Sequence, residues 1–326
     1  MNGKQQINGQ QNRKGRFAHW LRGALLRSLL VILLVTAAVF FLIRLVPGDP
    51  AVMILGEHAT DDSLAAMREQ LGVNLPLGQQ LLRFLRNLLT QADTGASLKY
   101  GVSSRSLVLR FAPVSLALAG LAMLITVLVT LLLSFLAATH RDSIFDHLIR
   151  VIPAFTQGMP VFWTGLLFIL LFAVHWRIFP VGGIQEGPGG LLRSLMLPAI
   201  TVSFGQIPPL VRSLRERLIT VLSADYVTTL RAAKLPRRVL FLHVLRGAFV
   251  PTLMLFSVNL SYLIGGTLVV EQVFGIRGVG KLLFEAISNR DFPLVQAIAL
   301  YCALFVVIIS FLTDLIAHRA DPRTEA

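Results

Sequence analysis

An all-α integral membrane protein with six spanning helices is the fold class this chain predicts, on three observations. Hydrophobic residues make up 55% of its 326 positions and charged residues only 14%, against about 25% charged in a soluble domain. The charges cluster and leave six charge-free windows, at 28–43, 111–139, 151–174, 194–211, 247–270 and 292–313. The Lys and Arg residues between those windows fall mainly on one side of the implied bilayer.

A spanning helix needs roughly 20 apolar residues, within a range of about 17–25. Five windows meet that length outright. The first is bounded by Arg27 and Arg44, whose long side chains snorkel to opposite interfaces and complete the span. Six spans place both termini on the same side. Segments 1–27, 140–150, 212–246 and 314–326 carry a net +11, and segments 44–110, 175–193 and 271–291 carry +2. Surplus Lys and Arg mark the cytoplasm, so both termini are expected inside. The net charge of +13 therefore orients the protein and meets anionic lipid heads. Nucleic acid is not expected, because the aromatic and basic residues do not interleave as in a nucleic-acid groove.

From the N-terminus, residues 1–15 read as a polar, disordered lead-in, within a cytoplasmic lead-in 1–22. The first span, 23–46, is too long and lacks a cleavage site, so it reads as an uncleaved helix. Pro47, Gly48 and Pro50 then stop it at the outer face. Residues 47–110 form an outer cap. A short helix is expected at 61–71, capped by Asp61, Asp62 or Ser63. A second is expected at 79–89, where Leu81, Phe84, Leu85, Leu88 and Leu89 recur at helical spacing; that stripe packs on the bundle ends or in the headgroup layer. Residues 111–326 form the remaining five-helix core.

Helix breakers are frequent in the core: Pro153, Gly158 and Pro160, then Pro198, Gly205, Pro208 and Pro209, then Gly265 and Gly266. Membranes tolerate them where neighbouring helices or a water-lined path satisfy the freed carbonyls. They suit a bundle that bends between states, and a static one nearly as well. The polar side chains singled out at membrane depth are Gln157, Gln206, Ser257, Asn259 and Ser261, which makes them the candidate translocation path. No ionisable residue lies centrally in a window, which disfavours an ion-coupled carrier and leaves the energy to a partner. The alternative is a secondary carrier or channel working without an ATPase.

Two decoys are set aside. Residues 275–281, GIRGVGK, match the skeleton of a phosphate-binding loop, but Leu282 stands where Ser or Thr would hold magnesium and no strand precedes it. A glycine-bent outer loop accounts for the run better. His140 and His147 flank Arg141, Asp142 and Asp146 and read as a solvated or partner-facing turn, not a metal site. With no nucleophile–base set and no paired carboxylates, the chain is expected not to be an enzyme. The lone Cys302 is a small buried hydrophobe by default.

The segment 223–251 is the most informative. It is basic and helix-prone, sits between two apolar windows, and contains a Lys-Leu-Pro corner at 234–236. A rigid knob of that kind is where a soluble motor would push.

With LVPGDPA at 45–51, FPVGG at 179–183, DYVTTLRAAKL at 225–235, VVEQVFGIRGVGKLL at 269–283 and ADPR at 320–323, the chain resembles the permease subunits of bacterial ATP-binding-cassette importers for dipeptides, oligopeptides and nickel. The resemblance implies a type I ABC importer-like permease fold in the inner membrane and a cytoplasmic coupling loop at 216–246. It implies small peptides or a nickel or metal-chelate cargo moved by alternating access. It implies a sister permease, in a heterodimer, and two ATPase subunits that hold ATP and Mg, so this chain itself binds no cofactor. It also implies a periplasmic or lipid-anchored substrate-binding protein. The ATPase-docking residues it implies are Tyr226, Arg231, Ala232, Lys234, Leu235 and Pro236. Lys234 stands where the family usually has glycine. Either it carries a strain of about 1 kcal/mol, or Pro236 sets a different corner.

Overall fold

The computed structural model describes residues 2–45, 49–56, 58–91, 94–141, 143–156, 158–233, 236, 239, 259–260 and 262–320. These are mostly helical. In chain order they are α1 (Asn2–Leu45), α2 (Pro50–Leu55), α3 (Asp61–Leu71), α4 (Leu77–Gln91), α5 (Ser104–Thr139), α6 (Ile144–Thr156), α7 (Val161–Phe168), α8 (Gly190–Leu222) and α9 (Asp225–Ala232). They continue as α10 (Tyr262–Val273), α11 (Val279–Ser288) and α12 (Phe292–Ala320). Helix α7 runs directly into a π-helical stretch, Ile169–His175.

Four helical stretches are long and apolar enough to cross a membrane: His19–Phe41, Ser104–Thr139, Gly190–Leu222 and Phe292–His318. Val161–His175 and Tyr262–Val273 are apolar but shorter. The 151–174 window differs from its expectation, because it is divided between α6 and α7. Pro160 caps α7 with an extended backbone and brings no N–H to continue a helix. The polar head also differs: α1 begins at Asn2, where a disordered lead-in was expected. No proline interrupts 2–45, and each residue added to an existing helix gains a hydrogen bond without a new nucleus.

Two compact units divide the chain, 1–106 with 290–312, and 107–289 with 313–326. In the first unit, Asp49 caps α2 by accepting the Ala51 N–H at 2.9 Å and holds Arg68 of α3 at 2.6 Å. Pro50 takes the first position of α2, where its missing N–H costs nothing. Thr60, not Asp61, Asp62 or Ser63, caps α3; it lies one residue earlier, just outside the helix, where its hydroxyl oxygen accepts the Ser63 N–H. Gly72, at φ +69°, ends it. Phe84 of α4 packs at 5.7 Å on the fully buried Phe40 of α1, and Arg44 lies over the same Phe40 ring. Asp291, fully buried, accepts the Ser97 hydroxyl, the Leu98 and Lys99 N–H groups and the Leu294 N–H in the first turn of α12.

In the second unit the core gathers Leu118 and Ala122 of α5, Leu195, Leu197, Ala199 and Val202 of α8, and Leu263, Val270, Phe274 and Ile276. Hydroxyls stitch α5 to α8: Ser203 donates to the Ala122 carbonyl at 2.9 Å and Ser134 to that of Val211 at 3.2 Å. The two sequence motifs at 179–183 and 269–283 meet. The Gly183 N–H bonds the Phe274 carbonyl at 2.9 Å, and a Cβ on Gly182 would lie 2.6 Å from that oxygen.

Candidate functional site

Helix α8 carries the site. Pro208 and Pro209 lie inside it and cannot donate to the carbonyls of residues 204 and 205, which frees two backbone acceptors in mid-helix. At this level a cavity of about 580 Å³ opens, walled by Gly205, Gln206 and Pro209 on α8. Its other walls are Thr156 and Met159 at the α6–α7 junction, Thr164 of α7, and Tyr262 and Gly266 of α10. Ligand pockets run from about 300 to 1,000 Å³.

Among the described residues the lining holds no charged side chain. The hydroxyls of Thr156, Thr164 and Thr201 donate back to their own helices, at 3.3, 3.3 and 2.9 Å, which leaves their oxygens able to accept. Gln206 is half-buried, and its Oε1 accepts from Asn259 Nδ2 at 2.8 Å. That bond directs the Gln206 amide and leaves its nitrogen as a donor. Asn259 itself is buried, and its Oδ1 has no partner among the described residues. The described lining is therefore uncharged, with hydrogen-bonding groups set in an apolar wall. It can hold an amide-bearing solute without anchoring a charge.

Gln206 and Asn259 were two of the five path residues expected from sequence, and they touch each other here. Gln157, Ser257 and Ser261 lie outside the described residues. Sequence reasoning missed Thr126, Thr130 and Ser134 of α5, all fully buried. Their i, i+4, i+8 spacing on one helix face was the available signal. It also missed that Asp146 is not solvated. The Asp146 carboxylate is fully buried and bidentate to Arg215 of α8, with Nη2 at 2.5 Å from Oδ2. Treating residues 140–150 as a charged turn concealed this pair, because α6 begins at Ile144 and turns Asp146 toward α8. His140 and His147 are exposed, and each ring nitrogen bonds a carbonyl of its own helix end.

Toward its C-terminus α8 leads through Ser223 into α9, whose Val227 is fully buried against Leu214 and Leu218 of α8 and Ala138 of α5. Tyr226, Arg231 and Ala232 belong to α9; Ala232 and Pro236 are exposed. The side chains of Tyr226 and Arg231, and all of Lys234 and Leu235, lie outside the described residues.

The glycine-rich run has a local explanation. Glu271, fully buried, accepts the Gly280 and Lys281 N–H groups at 2.7 and 3.3 Å, so the amides a phosphate would need are already taken. A Cβ on Gly278 would overlap the Glu271 carboxyl, and one on Gly280 the Leu268 backbone. Among the described residues no group of three His, Cys, Asp or Glu side chains could hold a metal ion.

The sequence matches the family described as binding-protein-dependent transport system inner membrane component over residues 130–326. It matches the corresponding N-terminal membrane-component family over residues 18–103. It is 36% identical over 316 residues to the di/tripeptide transport system permease protein DppB of Pseudomonas aeruginosa, covering 89% of this chain and 93% of that protein. It is 30% identical over 318 residues to the dipeptide transport system permease protein DppB of Escherichia coli, with the same two coverages, 89% and 93%.

Proposed function

The chain belongs to the family of binding-protein-dependent transport system inner membrane components, and from that premise we propose that it passes small peptides inward by alternating access. It is a multi-pass inner-membrane permease of type I ABC importer fold. In this family ATP hydrolysis resides in a separate ATPase subunit, and a binding protein delivers the cargo; the permease holds no cofactor of its own. The observation that carries the peptide reading is that relatives matched over nine-tenths of this chain are named for di- and tripeptides. The uncharged cavity at Gln206 supports it, because backbone amides need donors and acceptors but no fixed charge.

In this reading six helices span the membrane, with Val161–His175 and Tyr262–Val273 as the cores of the third and fifth. Both termini face the cytoplasm, as the +11 to +2 distribution of charge favours. The loop 216–246 docks on the ATPase through Tyr226, Arg231, Ala232, Lys234, Leu235 and Pro236, and segment 47–110 caps the outer face. A sister permease completes a heterodimer, and two ATPase subunits bind ATP and Mg. Closure of the motor on ATP pushes α9, and α8 carries that displacement to the cavity.

Uptake tests the cargo directly. Cells with and without this gene are given a radiolabelled dipeptide, and separately labelled nickel, free and chelated. Collapse of dipeptide uptake alone is expected. Collapse of nickel uptake alone would replace the peptide reading with that of a metal or metal-chelate importer.

A further inference from the structure

The buried pair Asp146–Arg215 has no part in the reading so far, yet it stands between α9 and the cavity. Helices α6 and α8 run antiparallel, rung by rung. Asp146 meets Arg215; Ile149 packs with Val211; Thr156, at the end of α6, shares the cavity wall with Gly205, Gln206 and Pro209. Asp146 and Thr156 are ten helical steps apart, about 15 Å. At the opposite end, Val227 of α9 is packed on Leu214 and Leu218, the residues that flank Arg215. A push on α9 therefore enters α8 at the turn that holds the pair.

Among the described residues the rest of this α6–α8 contact gives no lock. The Ile149–Val211 contact is apolar and non-directional, and packed helices shear past one another at little cost. A bidentate guanidinium–carboxylate fixes both register and rotation. Stability does not explain it, because a buried ion pair is often no better for stability than apolar residues of the same volume. Its placement is also favourable to itself, since Asp146 sits in the first turn of α6, where the helix dipole favours negative charge.

We propose that Asp146 and Arg215 are positioning residues for transport, a clamp that makes α6 follow α8 when α9 is displaced so that both cavity walls move together. The inference rests on α9 being the ATPase-docking helix. With the clamp broken, α8 moves, α6 lags, and ATP is hydrolysed without opening the cavity.

The test uses the assembled importer in inside-out membrane vesicles. Cys302, the single cysteine of the chain, is replaced by serine, and Thr156→Cys reports the cavity through its rate of maleimide labelling with and without ATP plus orthovanadate. With the native pair, labelling responds to nucleotide. Arg215→Met and Asp146→Asn are each expected to reduce that response by roughly fivefold or more while ATP hydrolysis continues, and the exchanged pair Asp146→Arg/Arg215→Asp restores it. An undiminished response in both single variants overturns the clamp. So does loss of membrane insertion in both, which assigns the pair to folding alone. Labelling of the Thr156→Cys reporter that ignores nucleotide with the native pair in place overturns the reading of α9 instead.

Discussion

The Glu271 carboxylate accepts the Gly280 N–H at 2.7 Å, and it does so across a loop whose glycines leave it just enough room. Gly278 and Gly280 have no space for a methyl group, whereas Gly265 has nothing within 4 Å of the same position. Gly280→Ala is therefore expected to destabilise the folded protein by about 1–3 kcal/mol, because it meets backbone that cannot move aside. Gly265→Ala should be far milder. Thermal unfolding of the two purified variants in detergent compares them; equal melting temperatures would remove the packing explanation for the glycine-rich run.

At the cavity, Gln206→Leu removes the amide that Asn259 orients, at nearly constant volume. One neutral hydrogen bond is worth about 0.5–1.5 kcal/mol net. The apparent KM for dipeptide uptake is expected to rise about threefold to tenfold, with the amount of protein in the membrane unchanged. A KM equal to that of the native protein would place the transported solute elsewhere.

The outer segment should respond to acid. Arg68, hydrogen-bonded to Asp49, holds the Asp49 carboxyl below its usual range. Because the folded-state value is depressed, the resulting stability is fully present above the unfolded value of about 3.9. It is lost as pH falls through the lower folded value. Asp49→Asn keeps the capping oxygen for Ala51 and removes the charge. Both partners are partly exposed, so the effect is small. Melting temperatures of the two proteins should differ at neutral pH and converge at the acid end; parallel curves from pH 7 to pH 3 would contradict the assignment.

Leu235→Asp should abolish uptake while leaving the chain inserted, because Leu235 is one of the residues proposed to dock on the ATPase. Val227→Asp should fail differently. Val227 is fully buried, and an unpaired carboxylate there costs several kcal/mol, so folding of the α8–α9 end is lost. Immunoblots of membrane fractions beside uptake assays separate the two. Normal uptake by Leu235→Asp would sink the coupling role of the loop.

Much of the architecture was legible because membrane insertion is decided by composition. The 111–139 and 292–313 windows lie within α5 and α12, since a long run without charge has few alternatives to a helix in lipid. The 151–174 window is divided at Pro160, a breaker visible in the sequence; hydropathy averages over that residue, whereas its missing N–H acts there alone. The lead-in misled for a different reason: polar residues can extend a helix that apolar ones have already nucleated. At the site, Gln206 and Asn259 were visible as polar residues in apolar windows, but their mutual hydrogen bond joins positions 53 apart.

By itself, then, the sequence determined that this is a helical membrane protein, which segments are apolar enough to enter the bilayer, and the motifs that carry the family resemblance. These are local properties, fixed by the transfer energy of short stretches of chain. Only the tertiary structure decided that Asp146 pairs with Arg215, that Glu271 fills the loop at Gly280, and that Gln206, Thr156 and Tyr262 share one cavity. Each of these joins residues from different segments, and the energy of a buried charge or amide depends on the partner that packing brings to it.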